Sequence, residues 1–221
     1  MKANIFLLRW ITKLYIWATY RLYNEFAWAY DLVSWLVSLG RWASWRRLAL
    51  EYVVGDRVLE IGFGTGELLV EMASQKINVI GLDQSLAMHR ITSRKMRRKG
   101  LLVPCLRGVA QQMPFVDGIF DTIVSTFPAG YILEAETIKE CARLLRHSSA
   151  GIPHGGRLII VGMYLQVDNP LLQRTVEPIY GSPESCFLDG FVKTALDAGL
   201  QTRVVYRNDS RIKMPVILLE K

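Results

Sequence analysis

Three alternating glycines form the most informative pattern in this sequence. Gly62, Gly64 and Gly66 follow the apolar stretch Val58–Ile61, and a helix-forming run starts at Glu67. Glycine lets the backbone turn sharply and approach a ligand closely, because it has no Cβ. The free N–H groups at the start of the next helix can bind a polar or anionic group. The pattern predicts a site for a nucleotide-like ligand, and its G-x-G-x-G spacing disfavours the G-x-G-x-x-G loop of NAD and FAD proteins.

A carboxylate follows the next apolar run. Val79–Leu82 leads directly into Asp83, which lies 17 residues beyond Gly66. At the end of the second strand of a nucleoside-binding unit, an acidic side chain can accept hydrogen bonds from both ribose hydroxyls. The alternative is that Asp83 only caps a helix that starts near Ser85. Beside the glycine loop, ribose binding is the favoured interpretation.

A scaffold of alternating strands and helices must bring these residues together. From Gly55 onward, short β-branched runs alternate with helical stretches, as in repeated βα units. The predicted strands are Arg57–Ile61, Ile77–Leu82, Leu102–Arg107, Phe120–Thr126, Arg157–Met163, Gln201–Tyr206 and Lys213–Leu219. The predicted helices are Glu67–Ser74, Ser85–Lys99, Ala135–Arg146 and Glu184–Ala198.

Two features of the predicted strands indicate how the sheet is built. The run Leu158–Val161 is apolar throughout, which is typical of a strand covered on both faces of a parallel sheet. The last two strands are joined only by Arg207–Ile212, which is too short for a crossover helix, so this pair should be antiparallel. An α/β fold with a mainly parallel sheet between helix layers is therefore expected.

Five motifs, in their order along the chain, resemble the class I methyltransferases that use S-adenosylmethionine (SAM). The motifs are Leu59–Gly66, Gly81–Ser85, Gln112–Phe115, Phe120–Asp121 and Arg157–Ile160. The resemblance implies SAM as the cofactor and a Rossmann-like sheet of seven strands, the last one antiparallel, with helices on both faces. The cofactor-binding residues that it implies are Glu60, Gly62, Gly64, Thr65, Gly66, Asp83, Gln84, Val109, Ala110, Gln111 and Ser125.

One position departs from the pattern of that family. Such enzymes commonly carry an acidic residue just before the alanine of the third loop, where it meets the adenine amino group. This chain has Val109 before Ala110 instead. Adenine recognition is therefore expected to rest on backbone groups or on Gln111.

Residues 1–54 differ in character from the rest and are predicted to form a helical segment and active-site lid before a catalytic domain over 55–221. All six tryptophans lie there, with seven Lys or Arg against three Asp or Glu. Tryptophan beside cations favours a membrane–water interface. The alternative is that the tryptophans pack on the catalytic domain or form a dimer interface. No run approaches the roughly 20 apolar residues of a transmembrane helix, so none is expected.

Part of this segment is similar to the ubiquinone/menaquinone biosynthesis C-methyltransferases, through Tyr30–Ser34, Ser38–Gly40 and Trp45–Arg47. The similarity implies a small, lipophilic, quinol-like acceptor at the membrane surface. Tyr30 is the first candidate for contact with substrate or cofactor. The other tyrosines considered for this role are Tyr23, Tyr131 and Tyr180. A phospholipid headgroup N-methyltransferase and a non-catalytic partner protein with the same fold are the alternatives.

The chain carries a net charge of +7, and its densest positive cluster lies between residues 90 and 99. The cluster consists of Arg90, Arg94, Lys95, Arg97, Arg98 and Lys99. Most such runs are solvated helix faces, but each charge near an anionic membrane can contribute ~1 kcal/mol to binding. An anionic membrane, contacted at its surface, is therefore an expected partner. Nucleic acid is disfavoured, because no RNA-binding motif accompanies the cluster.

The three cysteines, Cys105, Cys141 and Cys186, are widely scattered. Their spacing indicates neither a metal site nor a disulfide framework. A cytoplasmic location, with peripheral contact to the membrane face, is the expectation. The oligomeric state and the methylated atom stay open.

Overall fold

The computed structural model describes residues 38, 40–148, 155–164, 166–167, 187–209 and 212–221. The α-helices of these residues are α1 (Trp42–Arg47), α2 (Glu67–Ser74), α3 (Leu86–Arg98), α4 (Ala135–Leu144) and α5 (Phe187–Asp197). Short 3-10 helices span Leu48–Tyr52 and Gly130–Leu133. The four helices predicted beyond residue 55 are confirmed, with small differences at their ends.

Every predicted strand is present, and the described residues add one more. The strands are β1 (Arg57–Ile61), β2 (Asn78–Asp83), β3 (Cys105–Arg107), β4 (Thr122–Thr126), β5 (Arg157–Val161), β6 (Gln166–Val167), β7 (Gln201–Asp209) and β8 (Ile212–Glu220). The added strand is β6, a two-residue element after β5. The prediction for β3 was too long, because this strand pairs only with β2 and the sheet ends there.

The order of the strands creates a crevice beside β1. The sheet runs β3-β2-β1-β4-β5, and all of these neighbours are parallel. From β1 the chain continues to β2 on one side, and it later returns to β4 on the other side. Loops that leave the carboxyl ends of β1 and β4 therefore diverge, and open α/β sheets bind ligands at this kind of point.

The far end of the sheet closes with an antiparallel strand, as the short final link indicated. β8 lies between β5 and β7 and is antiparallel to both, with Val216 opposite Val161 on one side and opposite Val205 on the other. β6 pairs with the start of β8 on the same side as β5, and Gln166 lies opposite Lys213. The seven predicted strands thus have the expected directions.

Helices cover both faces of the sheet, which confirms the predicted fold class. On one face, α1, α2 and α3 contribute buried side chains such as Trp45, Leu68 and Met88. On the other face, α4 and α5 contribute Ile138 and Phe191. The apolar residues of β1 and β5 between these layers are fully buried, as expected for strands that are covered on both sides.

Gly81 allows α2 and the glycine loop to approach β2 closely. A Cβ at this position would lie 2.8 Å from Cδ2 of Leu69 and 2.8 Å from Cδ1 of Phe63. These distances are shorter than van der Waals contact, so a larger residue would push both side chains out of the core.

The described end of residues 1–54 packs against the rest of the fold. Trp45 is buried in the same core as α2 and α3, and Trp42 packs against that core from its edge. The other four tryptophans lie outside the described residues. Among the helices that the structure describes, none has the length and apolar character needed to cross a membrane.

Candidate functional site

The glycine loop between β1 and α2 has the shape that the sequence predicted. Gly62, Gly64 and Gly66 all have positive φ angles, of 69°, 54° and 72°, a region that favours glycine. A Cβ on Gly64 would meet nothing within 4 Å, whereas one on Gly62 would collide with the hydroxyl of Tyr131. The backbone of Gly64 is therefore the part of the loop that a ligand can approach freely.

A residue of α3, which sequence reasoning missed, holds this loop from behind. The hydroxyl of Thr92 donates a hydrogen bond to the carbonyl of Gly64 at 3.0 Å, and Thr92 is fully buried. Lys95 on the same helix forms an ion pair with Glu67 at the start of α2. α2 and α3 are thus tied together at the base of the loop.

Asp83 lies at the carboxyl end of β2, facing the loop. Its Oδ2 accepts from the Gly64 N–H and its Oδ1 from the Ser85 N–H, both at 2.8 Å. Burial raises the pKa of this carboxyl group, and the two backbone hydrogen bonds oppose that effect. The N-cap of α3 is Ser85, whose hydroxyl accepts from the Met88 N–H, so the interpretation of Asp83 as a simple cap is wrong. Each Asp83 oxygen keeps a lone pair for a further donor.

These elements enclose a cavity of about 470 Å³, within the usual range for small-molecule sites. Seven of the predicted residues line it: Gly62, Gly64, Asp83, Gln84, Val109, Ala110 and Gln111. Further lining residues, outside the set of predicted cofactor ligands, are Leu82, Ser85, Leu86, Arg107, Gly108, Thr126, Phe127, Pro128, Ala129 and Tyr131. Tyr131 was already a candidate for ligand contact, and Thr126 ends the predicted fourth strand. Most of these further residues directly follow the ends of β2, β3 and β4, so strand position was the signal that could have found them.

Four other predicted residues lie outside the cavity wall. Glu60, Thr65, Gly66 and Ser125 are buried in the sheet or behind the glycine loop. Their roles in cofactor binding stay predictions. Tyr30, Tyr23 and Tyr180 lie outside the described residues, so only Tyr131 among the candidate tyrosines can be placed.

Tyr131 reaches the glycine loop from the 3-10 helix after β4. Its hydroxyl lies 3.0 Å from Oγ of Ser125, which itself donates to the Ile61 carbonyl at 3.1 Å. Burial of this hydroxyl raises the pKa of Tyr131 above its usual range, so the phenol stays neutral. Ser125 thus acts on the cavity through Tyr131, because its own side chain is fully buried.

Glu60 is a buried carboxyl group in β1, two residues before Gly62. Its pKa is raised to about 8, mainly by burial; the charge of Arg46 opposes this increase, and the charge of Asp83 adds to it. Its Oε2 has no hydrogen-bond partner among the described residues. Protonation at neutral pH relieves the cost of placing an unpaired charge in the core.

Phe127 connects α1 to the cavity. This residue follows β4, has a φ of 48°, which is rare for a bulky residue, and lines the cavity. Its ring stacks on Trp42 with centroids 3.8 Å apart and an angle of 23° between the planes. A Cβ on Gly162, at the end of β5, would collide with the ring of Phe127. The aromatic contact and the missing Cβ together hold the unusual backbone conformation.

The sequence and the fold both match known proteins. Residues 58–148 match the family described as "Methyltransferase domain". The chain is 30% identical over 134 residues to a ubiquinone/menaquinone biosynthesis C-methyltransferase of Geotalea uraniireducens, covering 57% of each chain. It is 32% identical over 145 residues to a demethylmenaquinone methyltransferase of Thermus thermophilus, covering 63% of each. The chain thus spans about three fifths of the length of these curated relatives.

A solved structure shares the fold over nearly the whole chain. It is a SAM-dependent methyltransferase of Thermotoga maritima, described as a possible histamine N-methyltransferase. The TM-score is 0.61 at 21% identity, covering 91% of this chain and 98% of that one. At this identity the likeness concerns the fold alone.

Proposed function

We propose that this chain is a class I methyltransferase that transfers a methyl group from SAM to a small, lipophilic acceptor, an activity that the family match over residues 58–148 and the fold support. The observation that carries the proposal is the cavity between the glycine loop and Asp83, at the carboxyl ends of the parallel strands. The names of the relatives, which include demethylmenaquinone methyltransferases, favour a quinol ring as the acceptor.

The residues on one side of the cavity fit a nucleoside. The two oxygens of Asp83 can each accept from a ribose hydroxyl while they keep their backbone hydrogen bonds. Leu86 and Val109 line the cavity with apolar side chains that are 46% and 39% exposed, and a flat base would cover them. When bound, SAM supplies an electrophilic methyl group on a positively charged sulfur.

The residues on the other side of the cavity can orient the reactants and exclude water, which is most of what methyl transfer requires. Thr126 and Phe127 form the wall at the end of β4, and Tyr131 lies over Gly62. Because burial keeps the phenol of Tyr131 protonated, this side chain orients groups by hydrogen bonding and does not act as a base.

Contact with an anionic membrane is the second part of the proposal. The face of α3 that points away from the core carries Arg90, Arg94, Arg97 and Arg98, all exposed. None of the four has an ion pair within the described residues, and arginine matches phosphate oxygens in two-pronged hydrogen bonds. Leu102, just beyond α3, is fully exposed. Apolar exposure beside cations favours lipid over nucleic acid as the partner.

The activity is tested with purified protein, methyl-labelled SAM and vesicles that contain a demethylated menaquinol. We expect label in the quinol ring with the wild-type chain and far less with Asp83→Ala at the same SAM concentration. Label in a phospholipid would instead favour the headgroup N-methyltransferase. No labelled lipid, despite binding of S-adenosylhomocysteine, would overturn the lipophilic acceptor, and no binding of that nucleoside would favour a non-catalytic partner protein.

A further inference from the structure

His89 on α3 contacts both β2 and the glycine loop. Its Nε2 lies 3.0 Å from the main-chain carbonyl oxygen of Asp83. Its ring meets the ring of Phe63, the loop residue between Gly62 and Gly64, edge to face, with centroids 4.9 Å apart and 70° between the planes. A single half-buried side chain thus touches the two parts of the chain that carry the carboxylate and the glycines of the cavity.

The contact with Asp83 fixes which nitrogen of His89 carries a proton. A carbonyl oxygen can only accept hydrogen bonds, so Nε2 must donate. A neutral ring then has its proton on Nε2 and none on Nδ1. The same carbonyl also accepts from the Gly108 N–H at 3.2 Å, so both of its lone pairs have a donor. His89 is therefore a hydrogen-bond donor to the main chain of β2.

Asp83 gains from such a donor because it is the last residue of its strand. The pairing of β1 with β2 stops at Leu82, which lies opposite Ile61, whereas β3 still lies beside Asp83. The main chain of Asp83 thus pairs with a neighbouring strand on one side only. The hydrogen bond from His89 adds a contact from the helix layer. It restricts rotation of the peptide group and, with it, the position of the carboxylate that faces the cavity.

We propose that His89 is a positioning residue for nucleoside binding, and that its Nε2–H holds the main chain of Asp83 so that the carboxylate meets the ribose hydroxyls. The inference rests on the SAM site proposed above. His89 is not among the residues that line the cavity, so it acts on the ligand through Asp83 and not by contact. A site whose groups are already held in place loses less conformational entropy when a ligand binds, and the affinity is higher for that reason.

Three substitutions of His89 separate the hydrogen bond from the aromatic ring. His89→Gln puts an amide NH₂ at the same bond separation from Cα as Nε2, so the donor is kept. His89→Asn puts the NH₂ one bond closer to Cα, where it falls short of the carbonyl. His89→Phe keeps a ring against Phe63 but has no donor.

Titration calorimetry with S-adenosylhomocysteine measures the affinity of each variant without any turnover. We expect His89→Asn and His89→Phe to bind about tenfold more weakly than the wild-type chain, the factor that one lost hydrogen bond can give. His89→Gln should stay within about threefold of the wild type, because the donor remains. A role in packing alone would not give this pattern, since the glutamine and asparagine variants both lack the ring.

Three results would overturn the inference. They are an unchanged affinity in all three variants, the same loss in all three, and a loss that only His89→Phe avoids. Weaker binding in Asp83→Ala would in each case leave the SAM site standing without a role for His89. If S-adenosylhomocysteine does not bind the wild-type chain, the proposed function itself fails.

The proton on the ring gives a second measurement, which needs no ligand. Long-range ¹H–¹⁵N correlation spectra of the wild-type chain at alkaline pH should show neutral His89 with its proton on Nε2. The signals that disappear in His89→Gln assign this residue among the three histidines. A proton on Nδ1 would mean that Nε2 does not donate to Asp83, and it would overturn the inference.

Discussion

At the scale of single residues, this site depends on two carboxyl groups with opposite surroundings. Asp83 accepts two backbone hydrogen bonds and faces the cavity, whereas Glu60 is buried behind the loop with one oxygen unpartnered. The motif included both residues as cofactor ligands, but only Asp83 lines the cavity. The sequence alone could not show that only Asp83 faces the cavity. That distinction depends on the direction in which the side chains of two neighbouring strands point.

Loss of the Asp83 carboxylate should weaken nucleoside binding. We expect Asp83→Ala to reduce the affinity for S-adenosylhomocysteine by about a hundredfold, since hydrogen bonds to a charged group contribute about 1.5 to 3 kcal/mol each. The control is Asp56→Asn, which changes an exposed carboxylate just before β1, at the opposite end of the strands from Asp83. Calorimetry measures both variants, and equal affinity in Asp83→Ala would rule out a role in ribose binding.

The buried Glu60 should make the stability of the protein depend on pH. Its pKa is raised from 4.5 to about 8 in the folded chain, so the folded state binds the proton more tightly. The contribution of this group therefore falls as pH rises between about 4.5 and 8, by an amount on the order of a few kcal/mol, and levels off above pH 8. In Glu60→Gln, the free energy of unfolding measured with urea should not show this decrease between pH 4.5 and 8.

The exposed Glu136 provides the control for that series. Glu136→Gln, on the outer surface of α4, should follow the wild-type pH profile of unfolding. A Glu60→Gln profile parallel to that of the wild type across pH 5 to 9 would show that Glu60 is ionised in the folded chain.

At the scale of elements, regular patterns were predictable and contacts between distant parts were not. The β-branched runs and the glycine loop gave every strand of the catalytic domain except β6, which is too short to leave a periodic pattern. The left-handed conformation of Phe127 had no local signal, because it depends on Trp42 and Gly162, which lie far away in the chain. The hydrogen bond from Thr92 to Gly64 could not be predicted for the same reason, because the two residues lie 28 positions apart in the chain.

The junction of β4, β5 and α1 yields a prediction at this scale. Gly162→Ala places a Cβ against the ring of Phe127 at a φ of 76°, so we expect it to destabilise the fold by about 2 to 4 kcal/mol. Gly190→Ala, in the first turn of α5 with open space around it, should instead be neutral or stabilising by up to about 1 kcal/mol. Chemical denaturation measures the free energy of unfolding of both variants. Equal changes would contradict the close contact between Gly162 and the ring of Phe127.

At the scale of the whole molecule, charge is distributed unevenly around the sheet. The arginine face of α3 lies on one side, while α4 and α5 on the other side expose single lysines such as Lys139 and Lys193. An anionic surface should therefore meet the molecule with α3 toward it, because the Coulomb attraction is strongest there and decays within about 10 Å at moderate salt.

Two matched double variants test this orientation. Arg94→Gln with Arg97→Gln should weaken sedimentation with vesicles of 30% phosphatidylserine by about thirtyfold, from ~1 kcal/mol per charge. Lys139→Gln with Lys193→Gln removes the same charge from the opposite side and should change binding by less than about threefold. Equal losses in the two variants would show that net charge alone drives the binding, without a preferred face.

The close approach at Gly81 has a consequence for how this chain can diverge. Since a Cβ at this position would meet both Leu69 and Phe63, a lineage can accept alanine there readily only after both of those side chains have become smaller. The order of substitutions is thus constrained, and the three positions should covary among descendants of this sequence. In an ancestral background with smaller side chains at positions 63 and 69, the same alanine would be tolerated.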